Sequence, residues 1–168
     1  MPAGTEAILA TTVEALGDVL STMFFSDAVP VECRHALEAD AWERSIEADA
    51  SPAAGEWTSA RVRFSGAPSG ELLLMLSPGL AVVFSASFLG IDEAEVTREA
   101  AGQVCCELSN MICGAILSRV HPDSLVALDA PELTAADFEN RGRVHRGLHQ
   151  CFAIPEGTLA INLSSDAW

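Results

Sequence analysis

Apolar residues along this chain recur with two different periods, and the switches between them divide it into elements. From about Thr5 to Phe25, Leu9, Val13, Leu16, Leu20, Met23 and Phe24 repeat at i, i+4 and i+7, which predicts one long amphipathic helix. Gly4 or Thr5 is its candidate cap, and Ser26-Asp27 through Pro30 its stop. Val31 to Asp49 is polar, with one hint of order: Trp42, Arg44, Ile46 and Ala48 alternate with polar or acidic positions as in a half-exposed strand. After a turn at Ser51 to Gly55, Thr58, Ala60, Val62 and Phe64 alternate with Trp57, Ser59, Arg61 and Arg63. The loop from Gly66 to Gly70 leads into Glu71 to Leu76, apolar on both faces, so the pair reads as an antiparallel hairpin whose second strand is central. Pro78 suits the first turn of a short helix that Leu89 ends and Gly90 closes.

The longest Pro-free run of helix formers follows, and its polar side is chemically specific. Asp92 and Glu93 suit a helix N-terminus, so the helix is expected from near Asp92 to Arg119 or Val120, before His121-Pro122. At 100° per residue, Ala101, Cys105, Leu108, Ile112, Ala115 and Ile116 share a broad apolar side. Gln103, Glu107, Asn110 and Gly114 fall within about 60° of one another on the other side. Glu107 and Asn110 project side by side, and Gly114 one turn on leaves room for a foreign backbone. Most polar stripes are solvated faces, and spacing alone does not separate the two readings.

Beyond Val120 the pattern gives a strand at Ser124 to Leu128, a turn at Ala130-Pro131 and an acidic segment to Asn140. Two strands close the chain, Val144 to Ile154 and Thr158 to Ser164, joined through Pro155-Glu156-Gly157. The fold class is α+β: an antiparallel sheet of about five or six strands, covered by two long helices and a short one. The 168 residues make most simply one domain, spanning 1–168.

Charge and composition narrow the chemistry. Twenty-four acidic residues against nine basic ones give a formal charge of −15, which repels phosphate backbones and anionic lipid surfaces, so neither nucleic acid nor membrane is an expected partner. Every basic residue is arginine, and the absence of lysine excludes a Walker A loop, a Schiff base and a Ser-Lys dyad. No GxGxxG, HExxH, GxSxG or CxxC is present. The five cysteines are odd in number and three lie on the central helix, which reads as reduced thiols in a cytoplasmic protein. Leu72 to Leu89 is long enough to span a bilayer but is broken by Ser77-Pro78-Gly79, so strand plus buried helix is the expectation.

The segment ELSNMICG, Glu107 to Gly114, resembles the E-x-x-N-M-x-x-G signature of the CheC/CheX/FliY chemotaxis phosphatases. Its setting fits, with a hairpin, a short helix ending in Leu-Gly and then the long helix; VLSTMFF at Val19 to Phe25 and the downstream Pro131 also match. A single copy of the motif resembles CheX rather than the two-copy CheC. The resemblance implies a phosphatase acting on the aspartyl phosphate of a CheY-type receiver. Asn110 would orient the attacking water, Glu107 would pair with the receiver's lysine, and Gln103, Met111 and Gly114 would touch the partner. No cofactor is implied on this chain, since the Mg²⁺ belongs to the receiver. Gln103 stands where the family usually has Asp or Ser, and Pro131 lies two residues closer than in the family, which implies reduced activity or a divergent receiver.

Two rival readings have their own residues. A non-catalytic module could dock the receiver through the same stripe without hydrolysis. A metal or thiol protein could use His145, His149 and Cys151, which share one strand face, with Cys33 and His35 as a second pair, although the spacing matches no standard zinc finger. A homodimer is also expected, from the family resemblance and from Leu159, Ile161 and Leu163 alternating in a terminal strand taken as an exposed edge.

Overall fold

The computed structural model describes residues 3–32, 57–134 and 147–167. The strand expected at Trp42 to Asp49 and the turn at Ser51 to Gly55 lie outside them, as do Cys33, His35 and His145. Helix α1 runs Ala3–Phe24. Strand β1 (Val29–Val31) precedes the hairpin of β2 (Thr58–Gly66) and β3 (Gly70–Leu76), and α2 (Pro78–Leu89) and α3 (Arg98–Val120) follow. The chain then forms β4 (Val126–Leu128), β5 (Glu132–Thr134) and the hairpin of β6 (Leu148–Ile154) and β7 (Gly157–Ser165).

All strand pairs are antiparallel, in the order β1-β6-β7-β3-β2-β4, with β5 also on β2. The short β4 and β5 share one flank of β2: Val126 to Leu128 pair with Gly66 to Phe64, and Glu132 to Thr134 with Arg61 to Ser59. Among the described residues, six lateral positions therefore hold seven strands, in line with the expected five or six. Ala60, Val62 and Phe64 of β2 are buried, as are Leu72 and Leu74 of β3 and Leu159, Ile161 and Leu163 of β7. They form one core with Leu16 and Leu20 of α1, Phe84 of α2, and Leu108, Ile112 and Ile116 of α3. The other face of β3 is apolar too, because Met75 joins Cys151 and Ala160 in a second buried cluster.

Helix limits follow local chemistry. Pro78 opens α2, and Gly90 closes it at φ 67°, donating to the Ala86 carbonyl. The expected start of the long helix shifts: Asp92 and Glu95 form a capping box on a separate 3₁₀ turn, Glu93–Glu95, and Thr97 is the true cap of α3. Its Oγ1 accepts from the Ala100 N–H at 3.1 Å. The carboxylates near Asp92 carry the signal of a helix start, but Val96 is buried in extended conformation and separates the two turns.

The terminal strand corrects the basis given for a homodimer. β7 lies inside the sheet between β3 and β6, and Leu159 and Leu163 are fully buried, so it offers no edge to a second copy. Alternation reports which face of a strand is buried, not its lateral place in the sheet. Leu72 to Leu89 does divide into strand and helix. Gly4–Phe24 and Arg98–Val120 are long and apolar enough to cross a bilayer; the second is largely buried in the core, and the first packs on it through Ala15, Leu16 and Leu20.

Candidate functional site

Helix α3 is held from beneath and leaves one face open. Ala101, Cys105, Leu108, Ile112 and Ile116 are buried against the sheet and the other helices, as the apolar periodicity predicts, while Ala115 is half-buried. Gln103 and Glu107 are exposed, and Asn110, Met111 and Gly114 half-buried. Gln103, Glu107 and Asn110 make no side-chain hydrogen bond or ion pair among the described residues. Ion pairs among the described residues join Arg61 and Arg63 to Glu71, Arg63 to Glu132, and Arg119 to Asp18. Among the described residues, therefore, no side chain pairs with Glu107, and the Asn110 carboxamide has its donors and acceptor unengaged.

The β4–β5 segment borders this helix. Gly102 sits under Leu133 of β5, where an added Cβ would come within 2.8 Å of the leucine Cδ1. At Gly114 the nearest atom to an added Cβ is Leu128 Cδ1, at 3.8 Å, an ordinary contact. Gly114 therefore has space for a small side chain. Gly102 lies off the polar stripe, yet a glycine in a helix interior is itself a signal that something packs on it. A cleft of about 150 Å³ opens near the helix start between Trp57, Ser59, Arg98, Gly102 and Leu133. Neither Glu107 nor Asn110 lines it.

The thiols around the site are quiet. Burial pushes the Cys113 thiol up to about 12 and Cys105 higher still. Cys106, half-buried, is raised by burial first and by the Glu107 carboxylate second. These three are free, in accord with their reading as reduced thiols. Cys151 is not: it is disulfide-bonded, which corrects that reading at this position and removes it as a thiolate ligand beside His149. The described residues contain no metal-binding group of three or more ligands.

A family model for chemotaxis phosphatase CheX matches residues 58–155, which takes in the β2–β3 hairpin, all of α3 and all of β6. The chain belongs to the CheX family. Solved structures of CheX share its fold. The protein from Vibrio vulnificus superposes with TM-score 0.67 at 17% identity, covering 99% of this chain and 100% of that one. CheX from Desulfovibrio desulfuricans gives TM-score 0.67 at 16% identity, covering 95% and 99%. A Borrelia burgdorferi CheX, solved in complex with CheY, BeF₃ and Mg²⁺, gives TM-score 0.63 at 12% identity, covering 94% and 97%. No curated protein matches by sequence. The matched range contains the E-x-x-N spacing of Glu107 and Asn110, on the open face of α3.

Proposed function

We propose that this chain is a phosphatase for the aspartyl phosphate of a CheY-type receiver, acting in the cytoplasm on a partner that brings its own Mg²⁺. The observation that carries this reading is the Glu107–Asn110 pair, outward on a helix fixed by its buried side and without partners among the described residues. Membership in a phosphatase family, and the Borrelia relative crystallised with its receiver, support it.

The chemistry asked of the chain is modest. Phosphoryl transfer to water needs a nucleophile in line and charge stabilisation more than covalent help. Asn110 accepts a hydrogen bond from the attacking water through its carbonyl oxygen, or donates to it through its amide, and brings no charge to repel the phosphate. Glu107 meets the receiver's lysine, a contact made in ground and transition states alike. Met111 and Gly114 extend the docking face. Gln103 supplies a neutral carboxamide there, so that position hydrogen-bonds without adding charge.

The test is turnover by each variant against a receiver of the same genome, with phosphate loss followed by fluorescence. Asn110→Ala lowers turnover by about 10²–10³, the scale of one lost transition-state contact. Turnover within about threefold of wild type, under 1 kcal/mol, removes Asn110 from the water-positioning role and leaves a binding module that does not hydrolyse. Glu107→Ala weakens receiver affinity by about 1–3 kcal/mol, the range of a charge-assisted hydrogen bond.

A further inference from the structure

The open face of α3 begins one turn earlier than its recognised motif. Glu99 precedes Gln103 by four residues and Glu107 by eight, so the three stand on one side of the helix, and all three are exposed. At 1.5 Å per residue, the two carboxylates lie about 12 Å apart along the axis, with the neutral Gln103 between them. Glu99 makes no side-chain hydrogen bond or ion pair among the described residues. Its backbone is held in place all the same, by the Thr97 cap just before it and by Ala101 and Gly102, both buried, just after. A fixed, unneutralised charge thus continues the stripe on which Glu107 stands.

We propose that Glu99 is a second docking carboxylate for the receiver, meeting a basic side chain on the receiver's rim about 12 Å from the one that meets Glu107. This rests on the receiver-docking reading above. The charge that Gln103 lacks is supplied one turn nearer the helix start, and it selects receivers with a cation at that spacing. A carboxylate in the first turn also suits the helix dipole, but that role concerns the chain's own stability and is indifferent to any partner.

The deciding measurement is the affinity for a CheY-type receiver of the same genome held in its active form with beryllofluoride, at low and high salt. Glu99→Gln raises Kd about two- to fivefold at low ionic strength, the scale of an exposed ion pair, and the difference closes by about 0.5 M salt. Glu99→Asp, which keeps the charge at that position, leaves Kd within about twofold of wild type. An unchanged Kd at low salt overturns the proposal, whether or not the melting temperature falls, and leaves Glu99 a helix-terminus acid. A raised Kd that salt does not abolish overturns it as well. Turnover by Asn110→Ala reads the catalytic assignment separately, so either can fail alone.

Discussion

Two glycines on α3 look alike in sequence and differ in what requires them. At Gly102 a side chain would press into Leu133, within 2.8 Å, whereas at Gly114 it would meet only Leu128, at 3.8 Å. A glycine in a helix interior costs about 0.5–1 kcal/mol relative to alanine. At Gly102 that cost is offset inside the molecule, since β5 closes on the helix there. At Gly114 the fold gives no such return, which is what the proposed docking face predicts of that position. The same division runs the length of the helix, between a side fixed by its own fold and a side left open.

The largest effects should fall on the packed side and show up as stability. Leu108 is 1% exposed, and Leu108→Ala should cost about 2–5 kcal/mol through lost burial and the cavity left behind. Its neighbour Glu107, with no hydrogen bond or ion pair among the described residues, should change stability by less than about 0.5 kcal/mol on replacement by alanine. Urea unfolding of both variants checks the contrast. If Glu107→Ala destabilises as much as Leu108→Ala, the open face is part of the fold and the division is wrong.

That division was legible from periodicity because helix burial is local geometry. The arc holding Cys105, Leu108, Ile112 and Ile116 follows from their spacing alone, and Pro78 and Gly90 mark both ends of α2 by their own backbone preferences. Lateral order in the sheet is different. Nothing local tells β7 that β3 will be its neighbour, since the pairing spans the whole of α2 and α3, so alternation alone makes a terminal strand look like an edge. The cover over Gly102 was hidden for the same reason, because Leu133 arrives from a distant three-residue strand too short to announce itself. The Glu107–Asn110 pair could be found, but only the motif, not the polarity of the stripe, separated it from an ordinary wet face.

A second test sharpens the comparison through pH. Cys105 and Cys113 lie on the packed side, and burial holds both thiols above their ordinary 9.0, Cys113 at about 12. Above pH 9 the unfolded chain releases these protons while the folded one keeps them. Stability is therefore full below about pH 9 and falls as pH rises, by up to about 1.4 kcal/mol per pH unit for each fully buried thiol. The chain has no tyrosine or lysine, so no other type of side chain titrates between about 9 and 12. Denaturation midpoints from pH 8.5 to 11 should slope downward, and Cys113→Ala should flatten the slope. An unchanged slope would show that the packed side admits water.

The smallest effect tests the opening contrast most directly. Replacing Gly114 by alanine puts a methyl group in ordinary contact with Leu128 and removes the backbone entropy of a glycine, so the fold should gain about 0.5–1 kcal/mol. The same methyl group stands on the face where a partner's backbone would approach, so receiver affinity should fall as stability rises. At Gly102 the alanine side chain must displace Leu133, which is 59% exposed and able to move, so the gain there should be smaller or absent. Receiver affinity at Gly102→Ala should stay near wild type, because that position faces β5. Thermal melting and receiver titration of the two variants supply four numbers. Opposite signs of stability and affinity at Gly114 are the signature of a residue kept for a partner. If Gly114→Ala binds the receiver as tightly as wild type, the glycine is not a docking position, and its place on the open face is a matter of the chain alone.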